Sequence, residues 1–152
     1  MRIDFSLYYQ PKPKQLIAHK CRAKYMLFGG ALGGGKSYFL CAEAIKNAMK
    51  FKGNRLVLVR KELSVLRRTT LVTFFSICPK EIIKSFNQTS LEVTFINDSK
   101  LLFLDANIAK DPMLQKIKGL EIGWFGIDEA NEVSVEVYNM LKTRLRWVLP
   151  NK

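Results

Sequence analysis

The sequence predicts an α/β domain over residues 1–152, a mainly parallel sheet flanked by helices. Three observations predict it. Short apolar runs, Tyr25–Phe28, Leu56–Val59 and Trp124–Ile127, each stop abruptly at glycine or charge, as buried strands do. Between the runs lie stretches whose apolar residues recur at helical spacing. The chain is 48% hydrophobic and 25% charged, enough apolar material to offset chain entropy around one core.

The elements follow in order. Pro11 and Pro13 favour an extended lead-in, followed by a short helix from about Lys14 to Cys21. Tyr25–Phe28 is predicted as the first strand. The glycines of 29–35 exclude a helix interior there. From Ser37 to Lys50, residues Leu40, Ala44, Ile45, Ala48 and Met49 fall at helical spacing, and Gly53-Asn54 ends the helix. Leu56–Val59 is a second buried strand. Glu62 to Phe75 reads as one helix, with Leu63, Leu66, Thr70 and Phe74 on one face and Arg67 and Arg68 mostly off it. Leu91–Phe95, the turn Asn97-Asp98-Ser99 and Leu101–Leu104 predict a β-hairpin over 91–104. Trp124–Ile127 is the last strand. Ser134 is placed as N-cap of a final helix burying Val137, Met140, Leu141, Leu145 and Val148, with Pro150 as its stop.

Composition narrows the function classes. Lys and Arg exceed Asp and Glu by 12, which favours polyanionic partners such as nucleic acid or nucleotides. The longest apolar runs are too short to cross a bilayer. The first twenty residues carry Arg2, Asp4, Lys12 and Lys14 without an apolar core, so no secretory leader is read there. Cys21, Cys41 and Cys78 form no Cys-x-x-Cys pair and His19 is the single histidine, which argues against a zinc site and fits reduced thiols. Cys41, in an apolar stretch, reads as a small buried hydrophobe.

Two motifs carry chemistry. Gly30-Ala31-Leu32-Gly33-Gly34-Gly35-Lys36-Ser37 matches the Walker A pattern G-x-x-x-x-G-K-[ST]. Gly30, Gly33, Gly34 and Gly35 let the backbone curl so that N–H groups face phosphate oxygens, and the helix that follows presents its positive end to the same anion. Lys36 supplies charge to the β- and γ-phosphates, and the Ser37 hydroxyl is a Mg²⁺ ligand. Trp124–Ile127 followed by Asp128-Glu129 matches Walker B: Asp128 for the Mg²⁺ shell, Glu129 as the general base that polarises water. The expected ligands are therefore a nucleoside triphosphate and Mg²⁺, with Lys36 and Glu129 as catalytic residues.

The glycine-rich loop, Leu56–Arg60 and Asp128-Glu129-Ala130 together resemble the ATPase domain of the large terminase subunit of tailed bacteriophages. Supporting features are Tyr9-x-Pro11-x-Pro13-x-Gln15 before the first strand, Val57–Lys61 with Leu66-Arg67, Lys116–Leu120 before Walker B, and Leu141-x-x-Arg144-Leu145-Arg146 after it. The resemblance spans roughly residues 8–149. It implies a P-loop NTPase fold of the RecA-like ASCE class and a motor, driven by ATP, that packs double-stranded DNA into a procapsid. The implied partners are that DNA, the portal, the small terminase subunit and further copies of the chain in a ring, with no membrane, in the cytoplasm of the phage host. It also implies Gln15 as a contact to the adenine edge. The family's nuclease domain and post-Walker-B coupling strand find no counterpart in the 152 residues, so a truncated domain is expected. The loop interior holds no arginine to act in cis, which leaves Lys118, Arg144 and Arg146 as candidates for a finger into a neighbour's site. Lysine lacks the guanidinium fork that such a role normally uses. Arg60, Lys61, Arg67 and Arg68 form a basic cluster facing DNA, a neighbouring subunit or water. Two other classes remain open from the residues alone: a P-loop kinase or small metabolic NTPase without DNA stimulation, and a nucleotide- or partner-binding module without turnover.

Overall fold

A computed structural model describes residues 3–30, 33 and 35–149. Ala31, Leu32, Gly34 and Pro150 of the readings above lie outside the described residues. The elements are α1 (Pro13–His19), α2 (Lys36–Lys50), β1 (Arg55–Arg60), α3 (Leu63–Arg68), α4 (Thr70–Ile77), β2 (Ile83–Asn87), β3 (Glu92–Phe95), β4 (Lys100–Asp105), α5 (Gln115–Lys118), β5 (Trp124–Ile127) and α6 (Val135–Thr143).

The sheet order is β2-β3-β4-β1-β5. β1 runs parallel to both β4 and β5, pairing Leu56 with Leu101 and with Trp124. β3 extends the sheet antiparallel to β4, and β2 antiparallel to β3. The hairpin expected over 91–104 is therefore present, and it is the seam between the parallel and antiparallel parts.

β1 is the centre because both of its faces are apolar. Leu56, Val57, Leu58 and Val59 are each at most 2% exposed. Leu56 and Leu58 enter a core with Ala44, Ile45 and Ala48 of α2 and Phe74 and Ile77 of α4. Val57 and Val59 enter the opposite core with Ile117 of α5 and Val137 and Leu141 of α6. This period-2 split of a continuous apolar run produces three layers, helices on either side of a sheet. Phe74 anchors the first core edge-to-face against Phe103 at 5.2 Å and Phe95 at 6.4 Å. At Gly126 of β5 a Cβ would lie 2.7 Å from Leu40 Cδ1, so glycine there permits the close approach of α2 to the sheet.

The structure corrects several expectations. Tyr25–Phe28 forms no strand. Tyr25, Met26 and Leu27 are 40%, 44% and 86% exposed, and none of their backbone groups bonds to another segment among the described residues. The run stays outside the sheet, in which β5 is an edge strand paired with β1 alone. The helix expected over 62–75 is two helices, broken at Thr69 (φ −121°, ψ −73°), with Leu63 left 39% exposed. β2 has no counterpart among the expected strands: its short, polar, bulged sequence follows edge placement rather than an apolar pattern. The final helix ends at Thr143, not at Val148, which is 80% exposed. Ser134 precedes it without a side-chain cap bond.

Candidate functional site

The parallel strands β1, β4 and β5 end at one edge of the sheet, where an α/β fold presents its ligand site. The first turn of α2 begins beside the same edge. Gly35 is its N-cap at φ 75°, in the left-handed region that glycine enters freely, and Gly33 shares that φ. A cleft of about 510 Å³ opens here, lined by Tyr9, Gln15, Gly33, Lys36, Ser37 and Glu129 among others. That volume is within the range of small-molecule sites.

Asp128 stands immediately beyond β5, its N–H donating to the Val59 carbonyl at 2.8 Å. It is 3% exposed and its carboxylate is densely partnered. The Ser37 hydroxyl lies 3.0 Å from Oδ1 and 3.2 Å from Oδ2. The Thr70 hydroxyl donates to Oδ2 at 2.6 Å, and the Arg60 guanidinium donates to the same oxygen at 3.2 Å. Arg60 also donates to Thr69 Oγ1 at 2.8 Å, while Thr69 Oγ1 donates to the Val65 carbonyl at 2.7 Å. The break at Thr69 thus lets one helix end cap itself while the next presents Thr70 to the carboxylate.

Ser37 and Asp128, ninety-one positions apart, therefore form a pair of hard oxygen donors at the mouth of a glycine loop, a set that fits Mg²⁺. Lys36 Nζ lies 3.0 Å from the Gly30 carbonyl, held along the loop. Glu129 lines the cleft with φ 51° and ψ 60°. A non-glycine residue in that region is strained, and such strain is kept where the surroundings need a side chain aimed in one direction.

The other sequence candidates are distributed differently. Gln15 lies beside the loop, 3% exposed, with both amide atoms bonded inside the chain: Nε2 to the Gly35 carbonyl at 2.8 Å, Oε1 to the Lys12 N–H at 2.7 Å. Arg144 donates to the Lys118 carbonyl at 2.7 Å, joining the ends of α5 and α6. Arg146 pairs with Glu121 at 3.4 Å on the open surface. None of Lys118, Arg144 and Arg146 is among the residues that line the cleft. Of the basic cluster, Lys61, Arg67 and Arg68 are exposed, but Arg60 turns inward to Asp128.

Sequence reasoning missed Thr70 as a partner of Asp128. Its signal was a lone hydroxyl on the otherwise apolar face of Leu66 and Phe74. It also missed the chain Tyr9–His19–Glu43, in which Tyr9 Oη lies 3.0 Å from His19 Nε2 and His19 Nδ1 contacts Glu43 on α2. Burial, with the Glu43 charge second, pushes the Tyr9 phenol up to about 12. Cys41 of α2, fully buried, is also raised, by burial first and then by the Asp128 charge.

Comparison with known proteins bears on the family and the fold. A family model described as phage terminase large subunit matches residues 22–152. Two crystal forms of the large terminase from a thermophilic bacteriophage share the fold. One has a TM-score of 0.69 at 18% identity, covering 90% of this chain and 36% of that one. The other has a TM-score of 0.66 at 16% identity, covering 88% and 34%. This chain thus spans about a third of the length of those structures. No curated protein sequence matches it.

Proposed function

The chain belongs to the phage terminase large-subunit family, and we propose that it is the ATP-binding and ATP-hydrolysing part of a motor that moves duplex DNA into a procapsid. The observation that carries this reading is the meeting of Ser37 and Asp128 at 3.0 Å at the mouth of the glycine loop, with Glu129 on the cleft wall. Each residue then has a physical task. The backbone of the loop and the first turn of α2 hold the phosphates, and Lys36 neutralises charge at the β- and γ-positions. Ser37 and Asp128 are the residues that would hold Mg²⁺, which would offset charge on the phosphate oxygens. Thr70 and Arg60 keep the Asp128 carboxylate in one orientation. Glu129 accepts the proton of the attacking water.

The motor role rests on the family and on charge. A net +12 suits a polyanion held without sequence preference. Lys118, Arg144 and Arg146 do not line the chain's own cleft, which suits a finger offered to a neighbour in a ring. Portal and small subunit are the further partners this reading requires.

The test is steady-state ATP hydrolysis by the purified chain over a concentration series, with and without duplex DNA. The expected result is slow turnover that rises with protein concentration and with DNA, together with DNA binding that weakens steeply with salt. Fast turnover independent of both concentration and DNA would assign the chain to a self-sufficient NTPase class instead.

A further inference from the structure

Gln15 has no free choice of orientation. A backbone N–H only donates, so the Lys12 N–H faces Oε1 at 2.7 Å, and a carbonyl only accepts, so the Gly35 oxygen faces Nε2 at 2.8 Å. The first bond closes the N-terminus of α1 and the second reaches across to the residue before Lys36. The Gly35 carbonyl also accepts the Phe39 N–H at 2.9 Å, the first bond of α2. Both of its lone pairs are therefore filled. Because a trans peptide holds its C=O and N–H antiparallel, fixing the Gly35 oxygen fixes the direction of the Lys36 N–H, which points out of the helix start.

The fit between the two elements is close. A Cβ on Gly35 would lie 2.5 Å from Gln15 Nε2, so a side chain there would displace the amide from this position. The far end of α1 is tied to the same helix. Carboxylate can only accept, so His19 Nδ1–H donates to Glu43, and the His19 ring packs on Phe39 with centroids 4.6 Å apart. α1 is thus held to α2 at both ends, once at the phosphate loop and once two turns further along.

We infer that Gln15 is a positioning residue for the phosphate loop, acting on the triphosphate end of the ligand through Gly35. The inference rests on the ATP-binding reading above. It is tested by calorimetric titration of Mg·ATP, Mg·GTP and inorganic tripolyphosphate against the chain, Gln15→Met and Lys36→Ala. Gln15→Met removes both hydrogen bonds of the amide, and the expected result is that it weakens all three ligands by a common factor, about five- to tenfold for the lost bond to the Gly35 carbonyl. A loss confined to ATP, with tripolyphosphate unchanged, would assign Gln15 to the adenine edge and overturn the inference. Unchanged affinity for all three would overturn it as well. Lys36→Ala separates the two levels: if that variant still binds all three ligands as the parent does, it is the nucleotide reading that fails. Amide hydrogen exchange guards against simple unfolding. Gln15→Asn, which keeps the amide on a shorter arm, is expected to speed exchange at Lys36–Phe39 while leaving Ala44–Ala48 protected. Loss of protection along the whole of α2 would mean that Gln15 supports the fold rather than the loop.

Discussion

Lys36 carries its charge on a flexible stem, which here lies along the loop with Nζ 3.0 Å from the Gly30 carbonyl. A charged donor to a phosphate oxygen is worth roughly 1.5–3 kcal/mol. Lys36→Ala is therefore expected to weaken Mg·ATP binding about ten- to a hundredfold at unchanged fold, as read by titration calorimetry. Glu129 differs in kind, since its backbone is held in the left-handed region and its side chain borders the cleft. Glu129→Gln keeps size and polarity but cannot take a proton. It should bind ATP normally and lose about 10²- to 10⁴-fold in turnover, measured as phosphate release under DNA-stimulated conditions. Normal hydrolysis by that variant would remove Glu129 from the base role.

The two short helices α3 and α4 meet at Thr69, whose backbone leaves helical geometry at φ −121° and ψ −73°. With the break, Thr69 serves Arg60 and Val65, and Thr70 reaches Asp128 at 2.6 Å. The junction links a helix bearing exposed Arg67 and Arg68 to the carboxylate of the site. Thr70→Val keeps the shape and removes the donor, leaving a buried carboxylate one partner short. The expected cost is about 1–3 kcal/mol in denaturant-unfolding stability, with Thr70→Ser close to the parent. If valine is as stable as threonine, Asp128 does not depend on this junction. Packing on the other side of the site is of a different type: Gly126 sets the approach of α2 to β5 by lacking a side chain rather than by making a bond.

At the scale of the molecule, stability should fall in alkali. Burial pushes the Cys78 thiol from an ordinary 9.0 up to about 12 and the Tyr9 phenol from 10.0 to about 12, and Cys41 is raised as well. The folded chain thus holds protons that the unfolded chain releases. Between pH 9 and about 12 unfolding is favoured progressively as pH rises, and below 9 this contribution is complete. At about pH 10.5 the Cys78 thiol alone lowers stability by roughly 2 kcal/mol. Urea unfolding at neutral and alkaline pH checks this, with Cys78→Ala expected to flatten the slope. An unchanged slope in that variant would show that Cys78 does not carry its share.

The sequence by itself determined the candidate site motifs and the central layers. A glycine loop ending in Lys36-Ser37, and an apolar run ending in Asp128-Glu129, are local patterns whose physics needs no distant partner to be read. The apolar runs of β1 and β5 and the helical spacing of α2 are equally local, so they were legible in order and nearly in extent. Only the tertiary structure decided which segments paired and which side chains turned inward. Tyr25–Phe28 has the composition of a strand, but strand formation depends on a neighbouring edge, and that is not encoded in the run. Arg60 looked like one of four surface charges until the register of β1 beside β5 set it against Asp128. Thr70 and Gln15 are polar residues whose partners lie 58 and 20 positions away. A hydrogen bond across such a separation is specified by packing, not by local pattern, and so the supports of the site emerged only with the fold.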